Sequence, residues 1–131
     1  MRGKKNQKSN SVTYKGFFHL PRALLNDRDF IASSAKAVKL LIDIGEQYNG
    51  RNNGDLCASI TLMEKRGWKS REQLSKAKKE LLERNLIEQT RQGGLNMGPS
   101  LYAITWQPID ECGGKLHVNS TTTPSRKLNR Q

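Results

Sequence analysis

Seven basic residues crowd positions 65–79 of this chain: Lys65, Arg66, Lys69, Arg71, Lys76, Lys78 and Lys79 stand against Glu72 alone. Ser70 to Gln73 has the S-x-x-Q form of a capping box, so a helix opens at Ser70. The start of a helix leaves backbone N–H groups free and carries partial positive charge, which suits a phosphate. Beside it, Arg71 has the fork to pair with guanine, Gln73 can pair with adenine, and Glu72 can accept from cytosine. Lys69, Lys76 and Lys79 are suited to phosphate contacts, which position a protein rather than specify a sequence. The competing reading is a solvated charged helix face with no ligand.

Other chemistry is poorly supplied. His19 and His117 are isolated. Asp27 with Asp29, and Asp110 with Glu111, are the acidic pairs that could hold a metal, but no further ligand converges on either. Cys57 and Cys112 lack ligand spacing and read as free thiols of a reducing compartment. There is no phosphate-binding glycine loop. The expectation is a protein without catalytic activity, metal or cofactor.

The elements that position the basic cluster follow from periodicity. Ser33 or Ser34 can cap a helix running to about Tyr48, with Val38, Leu41, Ile42 and Gly45 as its apolar stripe and Ala35 and Leu40 flanking. Asn49-Gly50 stops it. Leu56-Cys57-Ala58 suits a very short strand. A helix over about 59–66 follows, capped by Ser59 or Thr61, with Ile60 and Met63 inward. After the turn Arg66-Gly67-Trp68-Lys69, the helix over about 70–84 buries Leu74, Ala77 and Leu81. Asn85 suits a left-handed stop. Residues 86–92 and 101–106 read as two strands around a glycine-rich loop. Trp68 is expected to plug the core between the two motif helices. Phe17, Phe18, Phe30, Tyr48, Tyr102 and Trp106 are likewise expected in the core.

The order helix, short strand, helix, turn, helix, strand, loop, strand resembles the winged helix-turn-helix family over residues 35–106. The most characteristic run is Ser70-x3-Leu74-x2-Ala77-x2-Glu80-Leu81-x4-Leu86-Ile87. Residues 17–44, with Arg51–Ile60 and Thr90–Gly94, are similar to winged-helix modules of replication proteins and small proteins of bacterial mobile elements and phages. The resemblance implies a mainly α fold with a small β-hairpin (α+β), the second motif helix in the major groove, and a wing over about 86–106. Lys69, Ser70, Arg71, Glu72, Gln73, Lys76 and Lys79 would then meet the nucleic acid, with Arg91 and Gln92 from the wing.

The chain has 131 residues and a net charge of +11. Residues 16–114 hold 14 basic and 12 acidic residues, so most of the excess sits in the tails. Residues 1–13 read as a disordered basic arm, 14–106 as the folded domain, and 107–131 as a loosely ordered basic tail. Arg2, Lys4, Lys5, Lys8, Arg126, Lys127 and Arg130 are candidate accessory phosphate contacts. No apolar run is long enough to span a membrane, and there is no signal-peptide pattern, so a cytoplasmic protein is expected. No heptad marks an oligomer interface.

The composite expectation is a sequence-directed double-stranded DNA-binding protein, regulatory or replication-linked, of a mobile element or phage. Two alternatives stay open. The wing tip carries Leu95 and Met97 and no cation, so the domain could be a protein-interaction module that inhibits a host nucleic-acid-handling complex such as a CRISPR effector. A binder of RNA or single strands would need exposed aromatic residues.

Overall fold

The computed structural model describes residues 16–128. Arg2, Lys4, Lys5, Lys8 and Arg130, the proposed contacts of the two extreme tails, lie outside these residues. The helices are α1 (Arg22–Leu25), α2 (Arg28–Ala32), α3 (Ala35–Gly45), α4 (Ile60–Glu64) and α5 (Arg71–Glu83). The strands are β1 (Leu56–Cys57), β2 (Ile87–Arg91) and β3 (Leu101–Ile104), giving a mixed α and β architecture.

Each motif helix begins on a serine. The hydroxyls of Ser34, Ser59 and Ser70 accept the backbone N–H groups of Ala37, Leu62 and Gln73, satisfying donors that a first helical turn leaves unpaired. The end of α5 is equally well specified. Asn85 takes a left-handed φ of 56°. Leu86 N–H donates to the Leu81 carbonyl and Asn85 N–H to that of Leu82. This is a Schellman closure, and the fully buried Leu81 and Leu86 supply the apolar pair that accompanies it.

The three strands form one antiparallel sheet in the order β1-β3-β2. Leu56 opposes Tyr102, Ile87 opposes Ile104, and the β2–β3 register slips between Gln89 and Arg91. One face of β3 places Tyr102 and Ile104, followed by Trp106, against Leu40, Leu41 and Ile44 of α3 and Leu74, Ala77 and Leu81 of α5. Trp68 and Met63 complete this core. Phe18, Phe30 and Tyr48 are partly buried against it, whereas Phe17 is 73% exposed, contrary to its expected core position.

The stripe on α3 is also rotated from expectation. Ala37, Leu40, Leu41 and Ile44 are buried; Val38 is half-buried and Ile42 exposed. Both phases fit the sequence, because apolar residues occupy both sets. Packing of α3 against α5 and the sheet selects one of them. Gly45 is buried in either phase, since the Phe18 ring lies where its Cβ would stand.

The chain after Trp106 is not a loose tail. Leu101 and Ala103 are buried outside the helical core together with Ile109. Ile109 and Leu116 pack at Gly54 beside Thr90. The fully buried Asn53 side chain organises this layer. Its amide donates to the carbonyls of Ile104, Gln107 and Pro108, and its oxygen accepts from Ile104 N–H. Asp110 then accepts from Asn53 N–H at 2.8 Å. Composition alone misses this segment because polar side chains, not a periodic apolar face, hold it.

A buried carboxylate fixes the turn between α4 and α5. Asp43, only 4% exposed, accepts from Trp68 Nε1 at 2.8 Å, Lys39 Nζ at 2.7 Å and Arg66 Nε at 3.1 Å. Burial pushes the Asp43 pKa up, but the hydrogen bonds from Lys39, Trp68 and Arg66 outweigh it and leave it below the usual value. Lys39 and Arg66 are substantially exposed, so their charge contributes little. The buried indole N–H is the partner that matters. Asp43→Ala leaves it unpaired and should cost about 2–3 kcal/mol in a urea titration. Trp68→Phe keeps most of the packing and should cost less. A depressed native pKa means the unfolded state binds more protons at Asp43. Its contribution is therefore complete above the unfolded pKa of about 3.9 and is lost as pH falls through the native value. Asp43→Ala should flatten that acid slope relative to wild type.

Candidate nucleic-acid interface

Helix α5 turns Leu74, Ala77 and Leu81 inward. Lys69, Arg71, Glu72, Gln73, Lys76 and Lys79 are exposed, and Ser70 is the half-buried cap. Among the described residues, Lys69, Arg71, Lys76 and Lys79 make no ion pair with a carboxylate. This face thus holds four uncompensated cations with Glu72 among them. Its positive potential is not cancelled by contacts within the fold.

The acids further along α5 are otherwise employed. Glu80 accepts from the Ser34 backbone N–H at 2.7 Å and from its hydroxyl at 2.8 Å. It does for α3 what the glutamate of a capping box does within one helix. The Ser34 backbone contact, with the hydroxyl bond and Arg84, holds the Glu80 carboxyl below its ordinary range despite partial burial. The start of α3 is thereby clamped to the middle of α5.

Gln73 behaves differently from expectation. Its side chain does not bond back to Ser70; its oxygen accepts from Lys36 Nζ at 3.0 Å. Lys36 thus joins the basic face from the first turn of α3, between which and α5 lies a cleft of about 490 Å³. Sequence reasoning did not bring Lys36 here, because the approach of the two helices leaves no local signal. Lys78 was also set aside as a core stem. Its ammonium lies 5.8 Å from the centre of the Tyr102 ring, facing the sheet. Burial pushes the Lys78 pKa down.

The hairpin residues are more committed. Arg91 donates to the Met97 carbonyl at 3.1 Å, across the loop. The Gln92 side chain accepts from Gln89, and its backbone N–H donates to His117 Nδ1 at 3.3 Å. Both residues brace the hairpin. At its tip Leu95 is 91% exposed and Met97 49%.

The accessory role expected of Arg126 is corrected by its surroundings. Its guanidinium pairs with both oxygens of Asp27 at 2.9 and 2.8 Å and with Asp29 at 2.8 Å. It also donates to the carbonyls of Arg84 and Asn85, at the end of α5. With 13% of the side chain exposed, it is a structural clamp rather than a free arm. Lys127 beside it is exposed. The acidic pair Asp27 and Asp29 accordingly holds a guanidinium. The Arg126 hydrogen bond, partly opposed by desolvation, holds the Asp29 carboxyl below its ordinary value.

Among the described residues no group of three His, Cys, Asp or Glu side chains could hold a metal, and Cys57 and Cys112 are unbridged. No helix is long and apolar enough to cross a membrane. Compared with protein-family models, curated proteins and solved structures, the chain matches none.

The clamp generates a prediction that separates folding from binding. Arg126→Ala leaves Asp27 and Asp29 unpaired and two carbonyls without a donor, and should cost about 3 kcal/mol in a urea titration. Arg126→Lys should recover less than half of this, because an ammonium cannot make the forked contact. Proteolysis within residues 107–125 should accelerate in Arg126→Ala.

Proposed function

We propose that this chain is a winged-helix protein that binds double-stranded DNA through α5, with no catalytic role of its own. The observation that carries the reading is the set of uncompensated cations, Lys69, Arg71, Lys76 and Lys79, on the one exposed face of α5. The sequence of elements supports it: α3, β1, α4, α5, β2 and β3 follow the order of a winged helix, with the sheet ordered β1-β3-β2.

In this reading Arg71, one turn from the helix start, reads base edges, with Glu72 and Gln73 beside it. Lys69, Lys76 and Lys79 contact phosphates and set the register. Lys36 adds a cation on the same side and holds the Gln73 amide. Arg91 and Gln92 act by shaping the wing. A regulatory or replication-linked task in a mobile element is the role we attach to such binding.

Fluorescence polarisation with duplex DNA at two salt concentrations tests this. Changing Lys69, Arg71 and Lys76 together to Ala should weaken binding at least about tenfold and lower the salt-dependence slope by roughly 3. All three side chains are exposed, so stability in urea should change by less than about 1 kcal/mol. Absence of wild-type binding at low salt contradicts the proposal.

One observation favours a second reading. Leu95 and Met97 offer apolar surface where a purely electrostatic wing would offer cations. In that reading the domain is an interaction module that blocks a host nucleic-acid-handling complex. A stoichiometric protein partner that survives nuclease treatment, with no affinity for duplex DNA, would establish it.

A further inference from the structure

The hairpin tip is a stiff projection with one apolar side chain at its corner. Leu95 and Asn96 are the central residues of a four-residue turn closed by Met97 N–H to the Gly94 carbonyl at 3.0 Å. Asn96 takes the left-handed φ of 63° that such a corner needs. Below the turn, Gly94 N–H donates to Gly98, Gly93 N–H to the Ser100 hydroxyl, and Arg91 to the Met97 carbonyl. At Gly93 a Cβ would stand 2.4 Å from the Ser100 nitrogen, so the two arms of the loop run closer than any other residue allows. The loop is thus braced from both arms, yet Leu95 is 91% exposed.

The direction of the projection matters. Only Arg84, Asn85 and Leu86 separate α5 from β2, so the chain doubles back. Lys78, in the middle of α5, lies over Tyr102, which opposes Gln89 in β2. Beyond that level, β2 and its loop extend toward the same end of the domain as Arg71 and Ser70. Four residues separate Arg91 from Leu95, a reach of about 13 Å at strand rise. That exceeds the minor-groove depth of about 7.5 Å.

Resting on the DNA-binding reading above, we propose that Leu95 is a wedge that enters the minor groove and unstacks a base step, with Met97 beside it. Proteins that bend DNA insert single apolar side chains in this way. The area decides between this and a protein partner. A standard protein interface needs about 800 Å² per side, far more than two side chains offer, whereas a wedge needs one or two. The preferred ligand is therefore duplex DNA that is readily unstacked, at a flexible pyrimidine–purine step or a mismatch.

The test uses the full chain and two duplexes of about 30 base pairs, one intact and one with two adjacent central mismatches. Wild type should bind the mismatched duplex about tenfold more tightly, a difference of roughly 1.4 kcal/mol. Leu95→Ala should bind the two equally, and a 2-aminopurine placed at the step should brighten with wild type and not with Leu95→Ala. As Leu95 is exposed, an unchanged urea midpoint confirms that the variant folds. Wild type that binds both duplexes equally overturns the wedge and leaves the DNA reading in place. So does a mismatch preference that Leu95→Ala retains, or a nuclease-resistant protein complex lost in Leu95→Ala while DNA binding is unchanged. Failure of wild type to bind either duplex instead removes the DNA reading on which the wedge rests.

Discussion

The contact between the Asp43 carboxylate and the Trp68 indole is the constraint on which the remaining geometry depends. It joins the middle of α3 to the turn between α4 and α5. Arg66 and Lys39 close over the same carboxylate, and Lys39 also donates to the Arg66 carbonyl and lies 5.5 Å from the Trp68 ring centre. A turn of four residues with a glycine in it has many conformations available. Here its tryptophan is buried with the one polar atom satisfied, so the angle at which α5 leaves the turn is set by α3. An apolar residue at position 43 would fill space but could not hold the indole N–H.

The rest of α5 is held by charge in a consistent way. Glu80 clamps its middle to the cap of α3, and Arg126 takes the carbonyls at its end while binding Asp27 and Asp29. Cationic charge at a helix C-terminus is favourable on its own account. The acids of the domain are thus largely spent on structural partners: Asp43, Glu80, Asp27, Asp29, and Asp55 with Lys115. The cations on the outer face of α5 are left without partners. The positive surface follows from where the carboxylates are used as much as from the number of lysines.

Much of this was legible in the sequence, and the reasons are physical. Ser34, Ser59, Ser70 and Asn85 act within three to five residues of themselves, so local patterns reveal them. The strands, the inward stripe of α5 and the buried position of Trp68 follow from periodicity. Contacts between distant polar side chains have no such signature. Asp43 lies in the apolar run Leu40–Ile44, which marks it as unusual, but its partners are 23 and 25 residues away. Asn53 and Arg126 reach across about 50 to 100 positions to mostly backbone or carboxylate acceptors. For that reason residues 107–126 looked like a tail, and Arg126 like a spare cation. The phase of α3 was ambiguous because Val38 and Ile42 are as apolar as Ala37 and Ile44.

The central claim is that the outer face of α5 meets duplex DNA while the clamped end near Arg126 does not. The most direct measurement is an amide chemical-shift titration of the isotopically labelled chain with duplex DNA. Shifts concentrated at residues 69–79 and in the hairpin over 92–98, with Thr105, Arg126 and Asp27 unmoved, are the predicted result. Shifts confined to the Asp27–Arg126 side, or none at saturating duplex, would contradict it.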